Sequence, residues 1–316
     1  MPITLNGTTG ISTPNLDSAG TVTTTNLVNG TPLAFRNKII NGNFDIWQRG
    51  TTLTVSNNGS FAGFYIADRW GFSPNVNSTV TVSRQDFDIF QTTVPNNPRH
   101  FLRFQKTVGS APAPALYQRM ENVRLLAGKT ITLSFWAKAA APLTISTDGT
   151  YWYGNPGGSP QTTVTGQTHN ITTTWTKYTT TITLPVIASG LSVIEENNFF
   201  QIVFNFQTSS TFTFDIAQVQ LEEGSVATPF ELRPIGTELA LCQRYYEKLS
   251  GPIQDNGSST TAVMTWQFKE RKRAIPTCVN TDISYQTLVR ATLDNVAWSG
   301  SGVVAIGNDS TASAEL

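Results

Sequence analysis

Two histidines, two adjacent carboxylate pairs, one aromatic loop and one basic run are the residues whose types and spacing bear on chemistry. His100 and His169 lie in Pro-, Asn- or Thr-rich stretches without Cys or His at ligand spacing, so nothing points to a metal cluster. No Gly-x-Ser-x-Gly elbow occurs, and a serine-hydrolase triad has no support. Glu195-Glu196 and Glu222-Glu223 are sequence neighbours. On a strand, neighbours point to opposite faces, so neither pair alone can flank one glycosidic bond. Asp148 or Asp215 would have to complete such a site. The pattern implies no catalytic residue, no enzyme activity and no cofactor.

Binding has better candidates. Tyr151-Trp152-Tyr153 runs into Gly154-Asn155-Pro156-Gly157-Gly158. Flat rings beside Asn and Gly suit sugar stacking and hydroxyl hydrogen bonding. The same rings, alternating at a strand end, would equally fill a core. Lys269, Arg271, Lys272 and Arg273 form the one dense positive run, just after Trp266 and Phe268. It would face an anionic polysaccharide, or else form a solvated turn or an ion pair between subunits. Tyr285 and Trp298 sit near turn signals and complete the set of candidate glycan contacts.

The composition narrows the function classes. The 316 residues carry 21 basic and 21 acidic side chains, and charged residues make up only 13%. A nucleic-acid binder normally has a basic excess. With 39% hydrophobic and 10% aromatic residues, the chain can fill a core. No apolar run is long enough for a membrane helix, so no membrane insertion is expected. The start, MPITLNGTTG, lacks the features of a signal peptide. Cys242 and Cys278 read as two free thiols rather than a disulfide framework.

The elements that would position these residues are mostly strands. Residues 1–34 hold small and β-branched residues broken by Gly and Asn, which reads either as a disordered arm or as an extended arm ordered only by pairing with other chains. From Phe35 to Pro234, alternating runs such as Lys129–Lys138 (KTITLSFWAK), Phe199–Phe206 (FFQIVFNF) and Phe212–Leu221 predict an antiparallel β-sandwich or barrel. Gly128-Lys129 and Asp148-Gly149 read as hairpin turns. One helix is predicted over Thr237–Leu249, inside a connecting segment 235–250. Its N-cap would be Thr237, and its apolar face Leu239, Cys242, Tyr246 and Leu249. That face would line a subunit axis or pack on its own sandwich. Residues 251–316 return to strands, over Ala262–Phe268, Thr277–Tyr285, Leu288–Trp298 and Gly302–Ile306. They form a smaller C-terminal β domain, marginal alone at that size.

Three stretches together carry a resemblance. They are Asn37–Gly50 (NKIINGNFDIWQRG) with Ala67-Asp68-Arg69-Trp70, Gly128–Lys138 with Trp175-Thr176-Lys177-Tyr178, and Ala217–Glu231 running into Leu241–Tyr246. The chain resembles tail fibre, or receptor-binding, proteins of tailed bacteriophages and prophages. Residues 37–232 are also similar to jelly-roll carbohydrate-binding modules of bacterial glycosidases. The resemblance implies a homotrimeric virion protein, assembled in the host cytoplasm. Residues 1–34 would join a baseplate or tail protein, and residues 251–316 would meet host surface polysaccharide or lipopolysaccharide. It leaves two alternatives: a purely structural tail or baseplate connector, or a glycan-cleaving tailspike. It also implies a weak calcium candidate at Asp45. The second acid pair of those modules falls here on Ala217 and Gln218, which argues for Asp45 pairing with Arg49 or Arg69 instead.

Overall fold

The computed structural model describes residues 35–57, 63–74, 77–109, 114–249, 253–255, 262–280, 286–300, 304–306 and 310–316. The 1–34 arm and Tyr285 lie outside them. The fold is mostly β, an antiparallel jelly-roll sandwich followed by one helix and a smaller β unit.

The first sheet has six strands in the order β1 (Thr52–Asn57), β4 (Ser78–Asp86), β5 (His100–Val108), β12 (Phe212–Glu223), β7 (Thr130–Ala139) and β10 (Thr176–Thr183). The second runs β2 (Phe64–Tyr65), β3 (Trp70–Ser73), β6 (Ala115–Glu121), β11 (Phe199–Phe206), β8 (Leu143–Trp152) and β9 (Thr162–Ile171). Alternation decides what each strand buries. On β8, Leu143, Ile145, Thr147, Gly149 and Tyr151 are buried, while Thr144, Ser146, Asp148, Thr150 and Trp152 are half-exposed. The core between the sheets is aromatic. Phe104 stacks on Phe206 with centroids 4.8 Å apart, and Phe135 meets Phe204 edge to face at 5.1 Å. Offset and edge-to-face pairs of this kind add to simple area burial.

Several sequence expectations change here. Asp148-Gly149 is not a turn but lies inside β8, where the pairing with β9 shifts register between Thr147 and Gly149. A bulge uses the same residues as a turn without reversing the chain. Both histidines sit in strands rather than loops. His100 opens β5 and contacts Asp86 at 2.6 Å; His169 on β9 lies 2.8 Å from the Thr180 hydroxyl, and burial pushes its pKa down.

The helix is shorter than expected. Helix α1 spans Ile235–Gln243, with Pro234 rather than Thr237 at its N-cap. The chain then straightens into β13 (Tyr246–Lys248), which pairs with β20 (Thr311–Ser313). Two guanidinium groups hold the tyrosines at the break: Arg69 lies 3.3 Å from the Tyr245 ring centroid and Arg49 3.5 Å from that of Tyr246. Tertiary pairing outweighs helix propensity here. Cys242 and Tyr246 are buried within their own chain, and Leu249 packs against the C-terminal cluster. Leu239, the fourth residue of that face, is half-buried.

Among its described residues the C-terminal unit contains three small sheets. Strand β20 lies between β13 and β16 (Thr277–Val279), β14 (Ile253–Asp255) pairs with β19 (Val304–Ile306), and β18 (Asn295–Gly300) lies between β15 (Ala262–Gln267) and β17 (Gln286–Ala291). The run Leu288–Trp298 is thus two strands. The Thr292 hydroxyl accepts the amides of Asp294 and Asn295 and turns the chain.

Chain end and sandwich meet through a charged network. Glu315 pairs with Arg49 at 3.0 Å and with Arg69, and Asp68 lies 3.6 Å from Arg49. Asp68 is fully buried and also accepts the Gln48 amide at 2.7 Å and its side chain at 2.8 Å. Burial dominates these bonds and raises the carboxyl pKa to about 6. Its unfolded value is near 3.8, so the folded state holds an extra proton between the two. The ionised form therefore costs about 3 kcal/mol at neutral pH, a cost relieved as pH falls through 6 towards 4. Thermal melts of wild type and Asp68→Asn should show the wild-type melting temperature rising, relative to the variant, between pH 7 and 5. A wild-type curve parallel to the variant's would exclude this role.

Candidate functional site

The outer face of the second sheet carries a continuous strip of rings and one guanidinium. It begins with Tyr65 on β2, whose ring meets Tyr117 on β6 edge to face at 6.3 Å. The Tyr117 ring covers Gly63 and Gly71: a Cβ on Gly71 would fall 2.4 Å from that ring, and one on Gly63 2.2 Å from its hydroxyl oxygen. Arg119, two residues along β6, lies 4.7 Å from the Tyr117 centroid and 4.6 Å from that of Phe199 on β11. Its Nε donates to Gln201 at 2.8 Å. Phe199 is itself buried, 7% exposed, and backs the half-exposed Trp152 of β8, with centroids 5.9 Å apart and planes at 14°.

Register then lays out a polar platform beside the rings. Phe199 faces Trp152, Gln201 faces Thr150, Val203 faces Asp148, and Asn205 faces Ser146. At the strand rise this is about 20 Å of two-strand surface. Asp148 accepts from Ser146 and Asn205 at 2.8 Å each and from the Gly166 amide at 3.0 Å, which fixes its orientation. A cavity of about 320 Å3 opens at the aromatic end, lined by Arg119, Thr150, Trp152, Asn197, Phe199 and Leu316 among others. Flat rings beside amide and hydroxyl groups suit a ligand with apolar faces and many hydroxyls.

The aromatic loop divides. Tyr151 and Tyr153 are in the sandwich core; the Tyr151 hydroxyl donates to the Pro185 carbonyl at 3.1 Å, and burial raises its pKa to about 12. Trp152, between them, faces outwards by strand parity.

The C-terminal candidates do not form a surface platform. Trp266 and Trp298 are buried, 2% and 4% exposed, in a cluster with Met264, Val296 and Ala312. Alternation along the paired strands β15 and β18 puts both on the same, buried face of one sheet, so neither ring is open to a ligand.

The basic run is also dispersed. Lys272 is buried, donating to Glu247 at 2.7 Å and to the Gln243 carbonyl at 2.6 Å. Arg273 reaches the Glu196 carbonyl and lies 3.9 Å from Glu121. Arg271 is exposed and pairs with Asp294 at 3.1 Å, while Lys269 is exposed. With Lys272 and Arg273 committed to partners inside the fold and Arg271 paired with Asp294, the run does not present one anion-binding fork.

Asp45 accepts from its neighbour Asn43 at 2.8 Å. It is not the partner of Arg49 or Arg69, which hold Asp68 and Glu315. Near Asp45 the positive charge is the Arg233 guanidinium, within 3.5 Å of Glu231 and 3.3 Å of Glu238. No group of three or more His, Cys, Asp or Glu among the described residues is placed to hold a metal. Gln218 instead donates to the Pro95 carbonyl at 2.6 Å, at a bulge where its φ is +47°.

Arg119, Phe199, Gln201 and Leu316 belong to the site and carry no sequence motif. Phe199-Phe200-Gln201-Ile202 did hold a signal: if Phe200 and Ile202 face the core, Phe199 and Gln201 must face out.

No family model matches the chain, and no curated relative matches it. Solved structures show similar strand arrangements. The C-terminal family 22 carbohydrate-binding module of Clostridium thermocellum xylanase 10B is 11% identical, matched over 55% of this chain and 100% of that one, with a TM-score of 0.36. A CBM4 module is 20% identical over 58% and 98%, with a TM-score of 0.33. The enzymatically active domain of tailspike protein 4 of bacteriophage CBA120 is 16% identical over 60% of this chain but 22% of that one, with a TM-score of 0.33. At these values the likeness concerns strand arrangement and says nothing of ligand or partner.

Proposed function

We propose that this chain is a non-catalytic glycan-binding protein, and that it serves as a phage or prophage tail fibre attaching the virion to a bacterial surface glycan. The observation that carries the glycan reading is the half-exposed Trp152 ring, backed by buried Phe199, at the head of the Gln201/Thr150 to Asn205/Ser146 platform. Stacking supplies affinity and the polar rows supply hydrogen bonds to hydroxyls, with no covalent step. The sandwich, rather than the C-terminal tryptophans, then carries recognition.

The tail-fibre assignment rests on the sequence resemblance. Its remaining elements are a homotrimer and attachment of residues 1–34 to a baseplate or tail protein. Exposed Phe35, Leu232 and Ile235 offer apolar surface close to where that arm joins the sandwich. Several copies would multiply a weak single-site affinity.

The test uses linear cello-, xylo- and galacto-oligosaccharides of two to six units, their parent polymers, and polysaccharide extracted from bacterial surfaces. The full chain should retain at least one of them on an affinity column and release no new reducing ends on incubation. Retention of none contradicts the glycan reading. Release of oligosaccharide contradicts the non-catalytic one.

A further inference from the structure

We propose that the pocket beside Trp152 takes an acidic sugar, with its apolar face on the Trp152 ring and its carboxylate on the guanidinium of Arg119. This rests on the glycan reading above and specifies the class of glycan bound.

Arg119 is held in place but not paired with an acid. Its guanidinium lies 4.7 Å from the Tyr117 ring centroid and 4.6 Å from that of Phe199, and both rings belong to buried residues. Nε donates to the Gln201 side chain at 2.8 Å and Nη1 to the Leu316 main-chain oxygen. The remaining N–H groups of the fork are left for a ligand. The arginines around it are each engaged by a carboxylate: Arg49 and Arg69 by Glu315, and Arg244 by Glu121 at 2.9 Å. Arg119 pairs with no Asp or Glu side chain among the described residues. Glu121, the acid of its own strand, meets Arg244 through both oxygens and has Arg273 at 3.9 Å.

The rest of the cavity is uncharged. Among the described residues that line it, Arg119 is the one charged side chain, and Thr150, Gln161, Asn197 and Gln201 supply neutral polar groups. Exposed Gln161 stands beyond Trp152, so a saccharide chain can leave on that side as well as along the platform. Arg119 on β6 and Trp152 on β8 flank the same strand, β11. Their strands are two spacings apart, about 10 Å. A sugar stacked on Trp152 therefore brings a carboxylate on itself or on the adjoining unit to Arg119. A guanidinium matches a carboxylate in a two-bond fork, and the flanking rings spare it much of the ordering cost. Asp148, on the same face of β8, stands two residue pairs beyond the Trp152–Phe199 pair. Its negative charge favours the acidic sugar at the head of the site over a place along the platform. The chain as a whole carries 21 basic and 21 acidic side chains, so attraction to an acid must be local.

The experiment measures dissociation constants for short fragments of hyaluronan, polygalacturonate and polysialate, and for the surface polysaccharide of the above panel. Each is compared with its carboxyl-reduced form, in which every carboxylate has become a primary alcohol on the same chain. Wild type should bind at least one acidic member about tenfold or more tighter than its reduced form, the size of a charge-assisted hydrogen bond. Arg119→Gln should bring that ratio to about one. Dextran sulfate, a polyanion without carboxylates, should not displace the acidic ligand. Equal affinity for the acidic and reduced forms of every member, or binding of neutral saccharides alone, overturns the acidic-sugar inference and leaves the glycan reading intact. Displacement by dextran sulfate at the same charge concentration marks attraction to polyanions in general and overturns it too. A ratio unchanged in Arg119→Gln overturns the role of Arg119. Binding of no saccharide, acidic or neutral, overturns both readings. The wild-type comparison requires no variant to fold.

Discussion

Glu247→Ala is expected to lower stability by about 3–5 kcal/mol, the range for removing one partner of a buried ion pair. Glu247 and Lys272 side chains are both 0% exposed and 2.7 Å apart. Glu247 also accepts the Lys269 amide at 3.0 Å, and Lys272 lies 4.7 Å from the Phe268 ring centroid. The pair thus pins β13 to the turn that follows β15. Burial pushes the Lys272 ammonium pKa down while Glu247 pulls it up. Without the carboxylate, desolvation is opposed only by the weaker pull of Cys278 and Glu270, and the buried lysine must shed its proton or open the structure to water. Urea unfolding of wild type and variant checks this. A double variant, Glu247→Leu with Lys272→Met, should recover much of the loss, because an apolar pair leaves no unmet charge. A loss below about 1 kcal/mol, the size of an exposed pair, would contradict the burial assigned here.

Trp266→Ala should cost about 3–5 kcal/mol of stability, the usual range for emptying a buried Trp site. Its ring meets Phe268 edge to face at 5.2 Å and packs in the same cluster as Met264, Trp298 and Ala312. In so small a core no neighbouring layer can collapse into the gap. Read as a surface stacking residue, the same Trp would lose affinity and keep its stability. Urea unfolding beside a saccharide titration of the still-folded fraction separates the two. Unchanged stability with reduced affinity would return Trp266 to the ligand site.

The sandwich was legible because a strand writes its burial into adjacent residues. Lys129–Lys138 and Phe199–Phe206 alternate with period two, and β7 and β11 lie where that pattern puts them. What failed depended on distant partners. Tyr246–Lys248 continues a helical pattern but pairs with Thr311–Ser313, which no local rule could indicate. Asp148-Gly149 has turn composition, yet β8 continues through it between two neighbours. The site was half legible. The three rings at Tyr151–Tyr153 were visible as a cluster, but the outward one depends on which face the sheet buries. Trp266 and Trp298 had the same signature and the opposite fate. Arg119, Phe199 and Leu316 come together from three separate parts of the chain, so only the fold unites them.

The ring cluster on the opposite sheet provides an internal control for the recognition face. Trp175 meets Phe87 at 5.0 Å and Phe101 at 5.2 Å, with Lys138 5.3 Å from its ring centroid. It is a half-buried Trp like Trp152 but lies on the outer face of the first sheet. The decisive measurement is the dissociation constant for one bound saccharide with wild type, Trp152→Ala and Trp175→Ala, each confirmed folded. If stacking on a sugar matches stacking on a base, Trp152→Ala loses about 1–3 kcal/mol, or roughly 5- to 150-fold in affinity. Trp175→Ala should bind as wild type does. Wild-type affinity in Trp152→Ala, or a loss confined to Trp175→Ala, would contradict recognition by the second sheet.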